Sequence, residues 1–146
     1  MPIYLQIGPP KIGHIKLGSI KGDFRYSLDE KLAIKGSSTE PSHQNWLPLE
    51  SCEYGPSKYG RVRCTRRLDA SSIAISKLSQ SGSDVAATID FSKAYGSGAY
   101  MRLKLSGAAV SAYTIAGSQA GASQGGPMET FDLAFDDIYV TYNPIP

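Results

Sequence analysis

Apolar and polar residues alternate along most of this chain, and a period of two residues predicts β-strands with one buried face. The alternation is clear in RVRCT, where Val62 and Cys64 share one parity and the arginines share the other. It returns in YMRLKLSG, where apolar residues alternate with Arg102 and Lys104. The segments expected to be strands are 3–7, 45–54, 61–65, 84–91, 100–107, 108–116 and part of 127–144.

Only the segment 68–82, LDASSIAISKLSQSG, has the spacing of a helix. Ser71 or the nearby Asp69 can cap its start, and Gly82 can lie just past its end. The helix is short, so packing rather than propensity must hold it. Its apolar stripe consists of Ala74, Ile75 and Leu78.

The alternation changes parity near the end of the chain, at two adjacent carboxylates, Asp136 and Asp137. Because neighbouring strand residues point to opposite faces, the two carboxylates cannot act as one catalytic or metal-binding pair. A parity switch indicates a β-bulge or a strand that passes from one sheet to another. We expect both apolar sets to be buried, namely Phe131, Leu133 and Phe135 before the switch and Ile138 and Val140 after it.

The size and composition fit one ordinary globular domain, residues 1–146, with 41% apolar and 19% charged residues. Residues 11–33 lack a clean period, and residues 116–126 form a glycine-rich loop. No apolar run approaches the roughly 20 residues of a membrane helix, so we expect no membrane insertion. The first ten residues lack the features of a secretory signal, so we expect a cytoplasmic protein that leaves the cell, if at all, without a cleaved signal peptide.

The net charge of +2 conceals an uneven distribution. Residues 1–83 hold 12 basic and 7 acidic residues, a net of +5, and residues 84–146 hold 3 basic and 6 acidic, a net of −3. Such a chain suits docking between different surfaces of identical copies. The basic cluster has no interleaved aromatic residues, so a solvated or interface face is expected and no nucleic-acid partner. This cluster consists of Arg61, Arg63, Arg66 and Arg67.

Residues capable of catalysis or metal binding are few, and none of them forms a recognised motif. Cys52 and Cys64 lack the spacing of zinc ligands and are either buried thiols or a disulfide between neighbouring strands. His43 could act as a general base, but no nucleophile shares a motif with it. Glu50 and Glu53 lie on opposite faces of their strand and cannot form a glycosidase pair. We therefore expect no enzymatic activity, no metal and no cofactor.

Three blocks together resemble the haemolysin-coregulated protein (Hcp) family, the tube protein of the bacterial type VI secretion system. The block Ile34–Gly55 is similar to a family segment through IKG, Thr39, an H-x-x-W pattern and a final tyrosine-glycine pair. The block Thr65–Gly82 is similar to the family's strand that runs into its single helix. The block Tyr100–Pro144 is similar to the family's end, with P-x-E-T-x-x-L-x-F-x-x-I-x-x-x-Y-x-P.

The resemblance implies a small β-barrel of two antiparallel sheets with one short flanking α-helix. It further implies that six copies form a ring, that rings stack into the inner tube, and that effectors travel inside it. Contractile sheath and tip proteins would be the other partners. By the same resemblance, Glu53 would face the tube lumen. Residues 11–33 have the position of an insertion, Ile73 stands where the family has proline, and the loop Gly55–Gly60 is shorter than the family's.

Three other functions are compatible with parts of the pattern. A tail-tube protein of a phage-like contractile particle would use the same mechanics. A β-sandwich module for carbohydrate would need an exposed aromatic platform, yet most tyrosines here alternate within strands. A hydrolase is disfavoured by the lack of any catalytic motif.

Overall fold

The computed structural model describes residues 2–10, 28–54, 60–92, 99–117 and 126–143. Most of the segment 11–33 and most of the glycine-rich loop lie outside these residues. The described chain contains one helix, α1 (Ser72–Ser81), and two short 3-10 turns, Glu30–Leu32 and Pro41–His43. The strands are β1 Ile3–Gly8, β2 Leu47–Leu49, β3 Ser51–Tyr54, β4 Arg61–Arg67, β5 Val85–Ser92, β6 Ala99–Ala116, β7 Met128–Ala134 and β8 Asp137–Tyr142.

The strands form two antiparallel sheets that share strand β6. The first sheet has the order β2-β1-β5-β6-β8, and the second has the order β6-β7-β4-β3. This confirms the expected class, a mainly β fold of two antiparallel sheets with a flanking helix. Among the strands that the structure describes, the sheets do not close into a complete barrel. The chain crosses between them at Glu50, whose backbone N–H donates to the carbonyl oxygen of Thr65 at 2.8 Å.

Strand β6 serves both sheets because it is one strand of 18 residues, where two separate strands were expected. Its first half pairs with β5 and its second half with β7. The strand bends where Gly107 and Ala112 adopt positive φ angles of 59° and 50°. Around Ala112 the register with β7 slips between Ser111 and Thr114, as in a β-bulge.

The segment 45–54 shows the reverse difference, because one strand was expected and two are present. Strand β2 pairs with β1 in the first sheet, and β3 pairs with β4 in the second. The change of sheet occurs at Glu50, which lies between the two strands. The core-facing parity changes across this residue, from Leu47 and Leu49 to Cys52, and the prediction of a single strand did not use this signal.

The parity switch at Asp136 and Asp137 is a transfer between sheets, one of the two predicted alternatives. Strand β7 ends in the second sheet, where Ala134 pairs with Ala109 on β6. Strand β8 begins in the first sheet, where Asp137 pairs with Ser106 on β6. Between them, the backbone N–H of Asp136 lies 3.2 Å from two carbonyl oxygens of β6. The carboxylates therefore mark a corner of the fold.

The apolar residues around this corner are buried as predicted, with one exception. Phe131 and Leu133 are fully buried, and Phe135 and Ile138 pack half-buried against the core. The burial predicted for Val140 is wrong, because 45% of its surface is exposed. Strand β8 pairs only with β6 among the described residues, so its outer half has no neighbour to cover it.

The core lies between the two sheets and contains core-facing residues of the strands together with Ile75 of helix α1. The strand residues include Leu5, Ile7, Leu47, Val62, Ile89, Leu105, Phe131 and Leu133. Strand β5 departs from the one-face pattern, because residues 85–90 are all buried. Its second face is covered by the turn-rich segment 30–46. A Cβ atom added to Gly8 on the neighbouring strand would lie 2.8 Å from Ala33 in that segment.

Helix α1 has the predicted stripe and the predicted end. Ile75 is fully buried, and Gly82 has a φ of 65° and donates its N–H to the carbonyl oxygen of Leu78 at 3.0 Å. At the start, the Ser71 side chain caps no backbone N–H of the helix. Asp69 is the residue that organises this end, because its carboxylate accepts the backbone N–H of Ser71 at 2.8 Å.

Gly107 has no room for a side chain, so we expect a substitution there to destabilise the fold more than one at Gly82, which has free space around it. A Cβ atom there would lie 2.6 Å from a carboxylate oxygen of Asp136, and the φ angle is already in the left-handed region. We predict that Gly107→Ala lowers the free energy of unfolding by more than the about 1–2 kcal/mol that the left-handed conformation alone costs.

Gly82→Ala is the matched control for this measurement. Its φ of 65° is similar, but an added Cβ atom would meet nothing within 4 Å. Thermal and urea unfolding at one protein concentration compare the two variants. Equal losses of stability would contradict the account of the corner at Asp136.

Candidate functional site

The outward side of the second sheet carries a continuous set of polar side chains, which we call the polar face. The strands β3, β4 and β7 place them there because every second residue points away from the core. The cross-strand register aligns Glu53 with Arg63, and Arg63 with Asp132. The polar face consists of Ser51, Glu53, Arg61, Arg63, Thr65, Thr130 and Asp132.

Ion pairs organise the middle of the polar face. The Nε atom of Arg63 donates to Asp132 Oδ1 at 2.9 Å, and the Nη1 atom of Arg61 lies 3.6 Å from Asp132 Oδ2. The hydrogen bond to Asp132 raises the pKa of Arg63. More than half of each arginine side chain is exposed, whereas Asp132 is covered by them. The face is therefore well hydrated and carries charges of both signs.

Glu53, the site residue expected from the sequence, is an exposed residue of this face. It belongs to the edge strand β3, next to Arg63 in the register. Its position in a tube lumen is not a property of a single subunit and stays a prediction.

The opposite side of the second sheet holds a buried group that we call the ionic cluster. Arg66 and Glu129 form an ion pair in which the side chains are 1% and 0% exposed. The Nη2 atom of Arg66 also donates to Asp69 Oδ2 at 2.8 Å and to Ser71 Oγ at 2.9 Å. Ser72 Oγ donates to Glu129 Oε2 at 2.9 Å. The cluster thus fastens the start of helix α1 to strands β4 and β7.

Tyr113 on β6 completes the ionic cluster by donating its hydroxyl hydrogen to Glu129. Burial raises the pKa of Tyr113, and the hydrogen bond to the Glu129 carboxylate raises it further. Asp69 has a lowered pKa, because its hydrogen bonds from Ser71 and Arg66 outweigh the effect of its burial. The cluster therefore favours the ionised form of the Asp69 carboxylate and the neutral form of the Tyr113 phenol.

The prediction that all four arginines lie on a solvated or interface face is wrong for Arg66. Arg61, Arg63 and Arg67 are exposed, but Arg66 is fully buried. The sequence contained a signal for this, since Arg66 shares its parity with Val62 and Cys64. An arginine on the buried parity of a strand requires a buried partner. Glu129 was the residue that the sequence reasoning missed.

A second buried group surrounds His43. Its Nδ1 atom lies 2.5 Å from Glu40 Oε2, and its Nε2 atom lies 2.8 Å from Asp90 Oδ2. The ring stacks on Tyr4 at a centroid distance of 4.5 Å. Burial would raise the pKa of Glu40, but hydrogen bonds, chiefly the one with His43, outweigh it and lower the pKa.

Both ring nitrogens of His43 are therefore occupied by carboxylates, and the residue is 1% exposed. Arg102 also donates two hydrogen bonds to the Asp90 carboxylate, at 2.6 and 2.8 Å. The arrangement does not suit a general base, which needs a ring nitrogen within reach of a substrate. His43 instead attaches the turn-rich segment to the first sheet.

Two general findings concern the described residues alone. No group of three or more His, Cys, Asp or Glu residues there is placed to hold a metal ion. In the same residues, no helix has the length and apolar character needed to cross a membrane.

Comparison with known proteins gives one family and a set of similar structures. The family model described as "Type VI secretion system effector, Hcp" matches residues 16–142. No curated protein matches the chain in sequence. The crystal structure of Hcp1 from Salmonella typhimurium has a TM-score of 0.70 at 20% identity, covering 97% of this chain and 86% of that one.

Two further structures show the same fold. A type VI secretion system effector from Yersinia pestis has a TM-score of 0.70 at 14% identity, covering 96% of this chain and 88% of that chain. A structure described as a type six secretion system protein has a TM-score of 0.72 at 19% identity, covering 99% and 86%. The similarity extends over nearly the whole chain in each case.

The ionic cluster is expected to contribute far more to stability than an exposed ion pair. Arg66 pairs with two carboxylates, Asp69 and Glu129, and Glu129→Gln removes the one that is fully buried. Breaking a buried pair costs about 3–5 kcal/mol. We predict a loss of this size in the free energy of unfolding, measured by urea denaturation.

Glu50→Gln is the matched control, because Glu50 and Arg67 form an ion pair of 3.8 Å in which both side chains are more than half exposed. It should cost less than about 1 kcal/mol. A Glu129→Gln variant as stable as the Glu50→Gln variant would contradict the structural role of the cluster.

Proposed function

Because the chain belongs to the Hcp family, whose model matches residues 16–142, we propose that six copies of it close into a ring and that rings stack into a tube. As a member of this family, the chain is a structural tube protein of the type VI secretion system. The tail tube of a phage-like particle is not favoured, since the matching family is that of the secretion system. We further propose that the tube carries effectors and meets sheath and tip proteins.

The observation that supports a ring is strand β8, which pairs with β6 alone among the described strands. Tyr139, Val140 and Tyr142 on this strand are 51%, 45% and 61% exposed. A short strand with exposed apolar side chains at the end of a sheet is suited to pairing with another chain. We propose that β8 extends the first sheet onto an edge of the next subunit, head to tail, so that the ring closes.

The polar face supports a position for the second sheet within that ring. The face includes exposed arginines and the exposed Glu53, and it therefore carries charges of both signs. Such a surface is suited to line a water-filled channel. Helix α1 lies on the other side of the same sheet, held there by the ionic cluster. We propose that the polar face, including Glu53, lines the lumen and that helix α1 faces outward.

We also propose that the protein acts without catalysis. The occupied ring nitrogens of His43 support this, since His43 was the residue considered as a general base in the sequence. The single domain 1–146, the insertion at 11–33 and export without a cleaved signal peptide remain predictions of the same proposal.

The ring is tested by multi-angle light scattering of the purified protein at tens of micromolar. We expect a mass six times that of the 15.6 kDa chain. Val140→Asp should give monomers, because a charge on the pairing edge opposes association while the exposed side chain leaves the fold intact. Glu53→Gln is the matched control and should keep the hexamer. A monomeric wild type, or a hexameric Val140→Asp, would contradict the proposed assembly.

The orientation of the subunit is tested by distances between spin labels in the assembled ring. Labels at Glu53→Cys, in a Cys52→Ser background, should lie closer to one another across the ring than labels at Lys77→Cys on helix α1. The reason is that lumen positions lie nearer the ring axis than outward positions. If the Glu53→Cys distances are the longer set, the polar face does not line the lumen.

A further inference from the structure

Cys52 and Cys64 face each other directly across strands β3 and β4. They are register partners in the antiparallel pair, and both point to the core side of the second sheet. Opposed residues of an antiparallel pair have Cα atoms about 4.5 or 5.5 Å apart, depending on the type of pair. Both spacings fall within the range of about 4.4–6.8 Å that a disulfide spans. The backbone therefore needs no rearrangement to accommodate a cross-link.

The two thiols, which are free in this structure, differ in the way that a redox-active pair requires. Cys64 is fully buried, whereas Cys52 is only partly buried and lies on an edge strand. The hydrogen bond from the Cys64 thiol lowers the pKa of Cys52. The same hydrogen bond, together with burial, raises the pKa of Cys64. An accessible thiol of lowered pKa is the attacking group in thiol–disulfide exchange, and a buried neighbour is the resolving one.

We propose that Cys52 and Cys64 are a redox-responsive modification site that forms a cross-strand disulfide under oxidising conditions. With oxidised glutathione as the oxidant, the Cys52 thiolate attacks one sulfur of its disulfide and releases the first glutathione thiolate. Cys64 then loses its proton and attacks the Cys52 sulfur, releasing the second glutathione. Two protein thiols are oxidised, one glutathione disulfide is reduced, and the two protons pass to the released thiolates.

The cross-link would fasten the four-residue edge strand β3 to β4. Glu53 lies directly after Cys52 on β3, so its place on the polar face would be held as well. The inference does not rest on the proposed function. In a protein that moves from the reducing cytoplasm to an oxidising exterior, however, the disulfide would form after export.

The test uses the full-length protein equilibrated with reduced and oxidised glutathione. We expect the oxidised protein to lose the mass of two hydrogen atoms. Trypsin cleaves after Lys58, Arg61, Arg63 and Arg66, so the peptide with Cys52 and the peptide Cys64–Arg66 should stay joined only in the oxidised sample. Oxidation should also raise the midpoint of thermal unfolding by several degrees, a shift that Cys52→Ser should lack.

Two variants report the order of the steps. Cys64→Ala should accumulate a stable glutathione adduct on Cys52, whereas Cys52→Ser should stay unmodified because Cys64 is buried. The proposal is overturned if the oxidised wild type keeps two free thiols, retains a glutathione adduct, or forms only disulfides between chains. These wild-type outcomes decide the question even if the Cys64→Ala variant does not fold.

Discussion

Strand β6 is the constraint on which the rest of the fold depends, because its 18 residues belong to both sheets. The first sheet uses its first half and the second sheet uses its second half. A strand can serve two sheets only if it bends, and the bends occur at Gly107 and Ala112, where φ is positive. The corner at Asp136 follows from this, since the chain that leaves β7 must cross the same bend to pair as β8.

The bend has a consequence for the two faces of the second sheet. The sheet turns its apolar side to the shared core and its polar side to solvent, as the burial along β4 shows. Arg66 is the exception, and it costs desolvation free energy that only a buried partner can offset. The ionic cluster provides that partner and attaches helix α1 to the same side. The polar face is thereby left open for contact with other molecules.

The sequence predicted those features of the fold that depend only on residues close together in the chain. The helix end at Gly82 was predicted, and the parity switch at Asp136 and Asp137 was predicted to be either a β-bulge or a sheet transfer, because glycine conformation and parity are local properties. The break at Glu50 and the continuity of β6 were not predicted. The continuity of β6 depends on which strands pair, and pairing between strands distant in sequence leaves no local mark. The break at Glu50 did have a local mark, the change of apolar parity across this residue, which was not used.

The residues of the candidate site could be predicted only in part from the sequence. The family resemblance, and not the alternation, singled out Glu53 as a lumen residue. In the subunit Glu53 is an exposed residue of β3, and its place in a lumen stays a prediction. The partners of Arg66 and His43 were missed, because Glu129 and Asp90 lie 63 and 47 positions away in the chain. Asp69 and Glu129 both lie in segments that resemble the family, Thr65–Gly82 and the P-x-E-T pattern. The resemblance did not explain what either residue does in the structure. The ionic cluster supplies that explanation, since both residues bind Arg66.

The central claim is that this chain builds a six-membered ring whose inner wall is the second sheet. A cryo-electron microscopy reconstruction of the purified assembly tests it most directly. The account predicts six-fold rings in which Glu53, Arg63 and Asp132 line the inner surface and helix α1 lies on the circumference. A reconstruction with helix α1 at the lumen, or an assembly without six-fold symmetry, would contradict it.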